Sequence, residues 1–232
     1  MGVFRFKKFS VCDDGASMKV GTDAVVLGAW VNAGAKTILD IGTGSGVIAL
    51  MMAQRSDPEA KIDAVELLDD DARQASENVA RSPWPQKITV VCSGIQEFKP
   101  CIQYEQIVCN PPYFSKSLLP PAQRRVHVRH DASLSQDELL TGVRRLLLPT
   151  GEFSLILPFT ESQVFIQKAN ACNFHLHRLT RFYTRAGKPQ ERSLMEFGIR
   201  PLPCREDSLV LYAEGNHWTD EYVRLTIDFY LK

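Results

Sequence analysis

No apolar run in this sequence approaches the roughly 18–20 residues that a membrane helix needs, so a helical span is not expected. The start, Met1-Gly2-Val3-Phe4-Arg5-Phe6-Lys7-Lys8, lacks the apolar stretch and small-residue cleavage site of a secretory signal. Phe6 stands where myristoylation needs Ser or Thr. These absences point to a cytoplasmic protein. The cysteines Cys12, Cys92, Cys101, Cys109, Cys172 and Cys204 form no CxxC pair and have no zinc-like spacing, which excludes a disulfide frame or structural zinc as an expectation. No metal is expected. There is no excess of charge of either sign, with 27 basic and 27 acidic residues, so no global field steers the chain towards a polyanion. One local exception is the stretch holding Arg178, Arg181, Arg185, Lys188 and Arg192, which contains a single acid, Glu191. It either meets phosphates or is a solvated strand pair and loop, and charge alone favours the second. Internal repeats, low-complexity tracts and linkers are also missing.

What is present is an alternation of short apolar strands and helices. Thr37–Ile41, Ile62–Glu66, Ile88–Cys92, Gln106–Cys109 and Phe153–Leu157 read as strands. Helical patterns fall over Val47–Gln54, Asp69–Arg81 and Glu161–Ala171. Ser135 with Glu138 forms a capping box that opens another helix running through Leu146-Leu147-Leu148, with Pro149 and Gly151 ending it. Two β-rich runs, Leu176–Thr184 and Leu194–Arg200, flank a Gly187-Lys188-Pro189 turn and predict an antiparallel hairpin at one sheet edge. Continuous apolar strands in repeated β-α-β units predict a mostly parallel α/β sheet with helices on both faces. The expectation is one domain over 1–232: an N-terminal extension (1–35), a core (36–200) and a C-terminal appendage (201–232). Nothing in the sequence sets the oligomeric state; a monomer is the simplest expectation.

The first strand runs into Asp40-Ile41-Gly42-Thr43-Gly44-Ser45-Gly46 and then a helix. Glycines here let the backbone turn tightly and approach a ligand at a helix N-terminus. A dinucleotide loop reads G-x-G-x-x-G; here the third glycine comes one residue early. The D-x-G-x-G-x-G pattern resembles the first motif of the Rossmann-like S-adenosylmethionine methyltransferases. That resemblance implies a class I methyltransferase fold, here a seven-stranded sheet, and S-adenosyl-L-methionine as cofactor. It places Gly42, Thr43, Gly44 and Gly46 under the methionine part, with the acid Asp40 close by. Glu66 ends the second strand, where a carboxylate can accept both ribose hydroxyls; Leu67 follows it. Many members of the family carry an acid after the third strand that meets the adenine amine. This sequence has Gly94 there, leaving Ile95 to pack on the base and Ser93 or backbone to supply a polar contact.

Asn110-Pro111-Pro112-Tyr113 ends the fourth strand, at the carboxyl edge where open α/β sheets bind ligands. A conjugated amine is planar and a weak nucleophile. The Asn110 side-chain oxygen and the Pro111 carbonyl can hold its two N–H groups and favour the charge that develops on nitrogen. Pro111 and Pro112 stiffen the loop, and Tyr113 can stack on the planar group. The tetrapeptide is similar to the N-P-P-Y motif of amino methyltransferases, which implies Asn110 to Tyr113 as the catalytic loop, with Asn110 also beside the cofactor.

Met18–Trp30, Cys109–Phe114, Arg129-His130-Asp131 with Leu134, and Asp228–Lys232 together resemble the bacterial tRNA-valine adenine-N6 methyltransferases. The resemblance implies a tRNA substrate methylated 3′ of the anticodon, and a Thr22-Asp23 region closing over the cofactor. The residues alone also allow Asp23 to be a helix cap. Candidate RNA contacts are Lys19, Tyr113, Phe114, Arg129, His130, Arg181, Arg185 and Arg192. Competing readings change the acceptor to an rRNA or DNA amine or a protein glutamine. A dinucleotide oxidoreductase and a non-catalytic RNA-binding module are disfavoured by the glycine spacing and by the intact N-P-P-Y, respectively.

Overall fold

The computed structural model of the chain describes residues 2–13, 19–112 and 134–231. A short antiparallel pair, β1 (Val3–Arg5) and β2 (Ser10–Cys12), precedes helix α1 (Thr22–Trp30). The chain then alternates β3 (Thr37–Ile41), α2 (Val47–Arg55), β4 (Lys61–Glu66), α3 (Asp69–Ala80), β5 (Ile88–Cys92) and β6 (Tyr104–Cys109). After the N-P-P-Y loop come α4 (Gln136–Leu146), β7 (Leu147–Pro158), α5 (Phe159–Ala171), β8 (His175–Arg185), β9 (Arg192–Gly198), β10 (Arg205–Tyr212) and α6 (Asp220–Thr226).

The large sheet has the order β10-β8-β9-β7-β6-β3-β4-β5, and β9 is the strand that runs against its neighbours. The parallel α/β expectation therefore holds, with two corrections. The sheet has eight strands rather than seven, and the β8–β9 hairpin is not an edge, because β10 pairs parallel to β8 from Arg205↔Arg178 to Tyr212↔Arg185. The added strand lies in what the sequence marks as an appendage. Its alternation (Leu209 and Leu211 buried, Val210 half-buried) begins only after the polar Arg205-Glu206-Asp207-Ser208, which hides it.

Strand alternation divides the core in two. Ile38, Ala64, Val108, Ile156 and Leu194 meet α1 and α2 on one face; Leu39, Val65, Ile107, Leu155 and Leu157 meet α4 and α5 on the other. Every residue of α1 from Ala24 to Trp30 is buried, as expected of a helix covered on all sides. It packs on α2 and α6, and Trp30 Nε1 donates to Thr180 Oγ1 of β8 at 2.8 Å.

The capping box forms as expected: Ser135 Oγ accepts from Glu138 N and the Glu138 carboxylate accepts from Ser135 N. The helix ends earlier than the leucine run suggests. Pro149 disfavours a helical Leu148, so Leu147 and Leu148 are extended and start β7.

The N-terminal pair is tied to the C-terminal segment and to α3. Lys7 N donates to Phe229 O at 2.8 Å, and Phe6 bridges to Tyr230. Buried Asn78 of α3 accepts from Cys12 N and donates to Cys12 O and Ser45 O, joining β2 to the glycine loop. Sequence reasoning missed Asn78, although an asparagine on the apolar side of a helix is itself a signal of a required polar bond.

Candidate cofactor and catalytic site

Sheet order places the site. From β3 the chain proceeds to β4 and β5 on one side, and then to β6 and β7 on the other. The crevice beyond the carboxyl ends of β3 and β6 is therefore the topological switch point. Ile41 and Cys109 are in register, so the loops that follow, Gly42 onward and Asn110 onward, leave the sheet side by side.

Gly42, Gly44 and Gly46 have φ of +68°, +54° and +83°, values at which an L side chain is strained. A Cβ on Gly42 or Gly44 would meet nothing within 4 Å, so the loop shows bare backbone to open space. Gly46 instead lies 3.5 Å from Ala75, measured from where its Cβ would stand, and lets α3 approach. Beneath the loop, Asp40 is fully buried. Its Oδ2 accepts from Thr43 Oγ1 at 2.6 Å and Ala49 N at 3.2 Å, while Oδ1 has no partner among the described residues. Burial pushes this carboxyl up to about 7; the Thr43 and Ala49 bonds oppose that rise, and Glu66 adds to it.

Glu66 organises the other wall. Oε2 accepts from Gly44 N at 2.9 Å and Oε1 from Leu68 N at 3.0 Å. The carboxylate keeps lone pairs for a hydroxyl donor. Burial raises this carboxyl, against the pull of the Leu68 and Gly44 N–H groups. Leu67 beside it is 48% exposed, whereas Ile95 is 3% exposed and packs on Gly142 of α4. Leu67, not Ile95, is thus the apolar side chain standing open beside the strand end. Pro111 is buried, and Asn110 and Pro112 are half-buried. Cys109 is fully buried and its thiol is pushed well up by burial, which makes it inert.

Asp40 has a consequence for stability. Its folded value lies above its unfolded one, so between about pH 4 and 7 the folded chain binds more protons than the unfolded chain. Stability is expected to fall as pH rises through that window, by up to about 1.4 kcal/mol per pH unit. Denaturant titrations at several pH values should show this slope, and Asp40→Asn should flatten it. An Asp40→Asn slope equal to the parent's would assign the effect elsewhere.

The remaining candidates are dispersed. Tyr113, Phe114, Arg129 and His130 lie outside the described residues. Lys19 and Thr22 are exposed at the start of α1. Asp23 is not the cap; Gly21 holds that position, and Asp23 in the first turn binds Arg192 Nε at 2.9 Å. The arginine stretch is not left with one acid. Arg178 faces Asp207 at 3.8 Å and lies over the Trp30 ring, and Arg181 pairs with Glu206. Arg185 donates to Ala213 O and Asn216 Oδ1 and lies over Tyr212. These acids come from β10 and α1, which local reading could not bring near. Arg192 is in register with Phe182 and shares its face, so strand alternation puts Arg181 and Arg185 on the opposite one. On that face Arg181, Tyr183, Lys188 and Ser208 line an open cleft of about 650 Å³.

Comparison with known proteins agrees with this geometry. Residues 17–157 match the family model described as methyltransferase small domain. The chain is 42% identical over 234 residues to a tRNA1(Val) (adenine(37)-N6)-methyltransferase of Bacteroides fragilis, covering 99% of this chain and 98% of that protein. Among solved structures it is similar to a predicted O-methyltransferase from Agrobacterium tumefaciens (TM-score 0.68, 20% identity, covering 89% of this chain and 96% of that one). It is also similar to a glycopeptide N-methyltransferase complexed with (S)-adenosyl-L-methionine (TM-score 0.56, 16% identity, covering 82% of this chain and 97% of that one).

Proposed function

The chain belongs to the methyltransferase small domain family and to the tRNA1(Val) (adenine(37)-N6)-methyltransferases, and from that membership we propose that it methylates N6 of adenine 37 in a tRNA, using S-adenosylmethionine. The observation that carries this reading is the pairing of Asn110-Pro111 with the glycine loop across β3 and β6 at the switch point.

The residues fit the donor. Gly42 and Gly44 present bare backbone to open space, and beneath them Asp40 Oδ1 is buried with no partner among the described residues. Gly42, Thr43 and Gly44 would lie under the amino acid part, with Thr22 and Asp23 closing over it. Glu66 would take the ribose and Leu67 the base. When bound, S-adenosylmethionine supplies a methyl group on a positively charged sulfur, an electrophile that needs no further activation.

The protein's work is then on the acceptor. Asn110 Oδ1 and the Pro111 carbonyl accept the two N–H bonds of the adenine amine. As positive charge grows on that nitrogen, both hydrogen bonds strengthen, which is differential stabilisation of the transition state. Pro111 and Pro112 hold the carbonyl in place beforehand. No residue need act as a base while the new bond forms, because the nitrogen's proton becomes acidic only afterwards and can leave to water. Tyr113 and Phe114 would stack on the base, which must leave its stack to reach the loop. Lys19, Arg129 and His130 are assigned to the RNA near the reacting base, and Arg181, Arg185 and Lys188 to its phosphates, with Arg192 joined to the Asp23 side.

No described helix is long and apolar enough to cross a membrane. With a tRNA acceptor the site of action is the cytoplasm, and 1–232 acts as one unit.

The test is competition among acceptors. Labelled S-adenosylmethionine is offered with unmodified tRNA, adenine-containing DNA and a glutamine peptide together, followed by nucleoside and peptide analysis. The reading expects N6-methyladenosine in tRNA alone. Label in the peptide or the DNA would move the assignment to those acceptors.

A further inference from the structure

The two faces of the sheet differ at its β8–β10 end. On the α1 side Thr180, Phe182 and Leu209 are buried, with Trp30 bonded to Thr180. On the other side, strand alternation sets Arg181, Tyr183 and Arg185 of β8 level with Ser208, Val210 and Tyr212 of β10. All six are half-buried or exposed. The open cleft of about 650 Å³ lies over Arg181, Tyr183, Ser208 and Val210, with Lys188 of the hairpin turn also lining it.

Charge changes along this face. Arg181 is neutralised by Glu206, while Asp207 belongs to the α1 side, where it accepts from Thr180 Oγ1 and faces Arg178. Nearer the carboxyl edge Arg185 donates only to the neutral acceptors Ala213 O and Asn216 Oδ1, and it has no ion pair among the described residues. Lys188 has none either. Between these groups stands Tyr183, whose ring meets no other aromatic ring and whose hydroxyl makes no hydrogen bond among the described residues.

Register relates this face to the catalytic loop. Cys109, Leu155, Met195 and Leu179 share one row, so Tyr183 stands four residues further along, about 13 Å beyond the end of β6. Sideways, three strand spacings of the sheet separate β8 from β6, about 14 Å. The hairpin is therefore a side wall of the crevice, at a distance that a few unstacked nucleotides span. An open aromatic ring beside cations without acids suits single-stranded RNA, whose bases stack on such rings while its phosphates take the charges. A protein partner covering the same face would have to desolvate Arg185 and Lys188.

We propose that this cleft is a second base-binding site: Tyr183 stacks on an unstacked nucleobase of the same tRNA, a few nucleotides from the reacting adenine, with Lys188 and Arg185 on the phosphates beside it. This rests on the tRNA reading above and adds a base contact remote from the chemistry. Every base has a π face, so the site contributes grip and register rather than sequence readout.

The experiment is steady-state methylation by the full chain of tRNA transcripts that each carry one abasic site at a loop position other than 37. In the parent protein one such site is expected to raise KM for tRNA by about tenfold, the range of one base–aromatic stack, with kcat unchanged. Tyr183→Ala should raise KM for intact tRNA by the same factor and become indifferent to that abasic site, because a single stack can be lost only once. Tyr183→Phe keeps the ring and should stay within about twofold of the parent. Affinity for S-adenosylhomocysteine should be equal in the three proteins, which reports that the variants are folded. A parent protein insensitive to every abasic site overturns the proposal without any variant. So does a parent-like KM in Tyr183→Ala, or losses from variant and abasic site that add at every position. If the parent methylates no tRNA at all, the tRNA reading fails and this site with it.

Discussion

Asn110→Ala is expected to slow methyl transfer by about 10²–10³-fold, the effect of deleting one preorganised hydrogen-bonding group from a site where charge develops. Affinity for S-adenosylhomocysteine should stay within a few-fold. The asymmetry follows from position. Asn110 begins the loop beside Gly42, but the groups shaped for the donor belong to the glycine loop and the β4 end. Its amide oxygen gains most when the acceptor nitrogen becomes tetrahedral and positive, so the loss belongs in kcat rather than in donor binding. Asn110→Asp probes the same point from the other side. It keeps an acceptor and adds a charge, so it should retain more activity than alanine. Single-turnover rates with prebound donor would measure both variants. An Asn110→Ala rate within a few-fold of the parent would remove this residue from the chemistry.

Glu66→Ala should produce the second large loss, this time in donor binding, by about 100-fold. The carboxylate does two tasks at once. It accepts from Gly44 N and Leu68 N, which sets the shape of the glycine loop and of the turn into α3. It also retains lone pairs for a diol. Two hydrogen bonds to a charged acceptor at roughly 1.5 kcal/mol each amount to about two decades in affinity. Glu66→Gln should fall between, because the amide keeps one acceptor oxygen and turns the other position into a donor. Equilibrium titration with S-adenosylhomocysteine separates the three proteins. Parent-like affinity in Glu66→Ala would place the ribose elsewhere.

The parts of this fold that were legible in the sequence are those where burial is continuous. The central strand Thr37–Ile41 matches the structure to the residue, because covering on both faces demands a largely apolar run; Ile88–Cys92 also matches, through its β-branched residues, although it is an edge strand with Thr89 and Cys92 exposed. The Ser135–Glu138 box marked the start of α4 because the bonds it makes are local. What escaped was non-local. β10 opens with charged residues whose partners, Arg178 and Arg181, lie in β8, so each half looked like a solvated stretch on its own. The same separation hid the Asp23–Arg192 pair, which spans 169 residues, and the Asn78 bonds to Cys12 and Ser45. In the site, the D-x-G-x-G-x-G and N-P-P-Y motifs stood out because each needs special backbone geometry.

The reaction is methyl transfer to one amine of one tRNA base. The direct measurement is transfer from labelled S-adenosylmethionine to two tRNA1(Val) transcripts, one unmodified and one with guanine in place of adenine 37, with the label mapped after nuclease digestion. One N6-methyladenosine is expected at position 37 of the first transcript, and no label in the second. Equal labelling of both transcripts, or label that maps away from position 37, would contradict it.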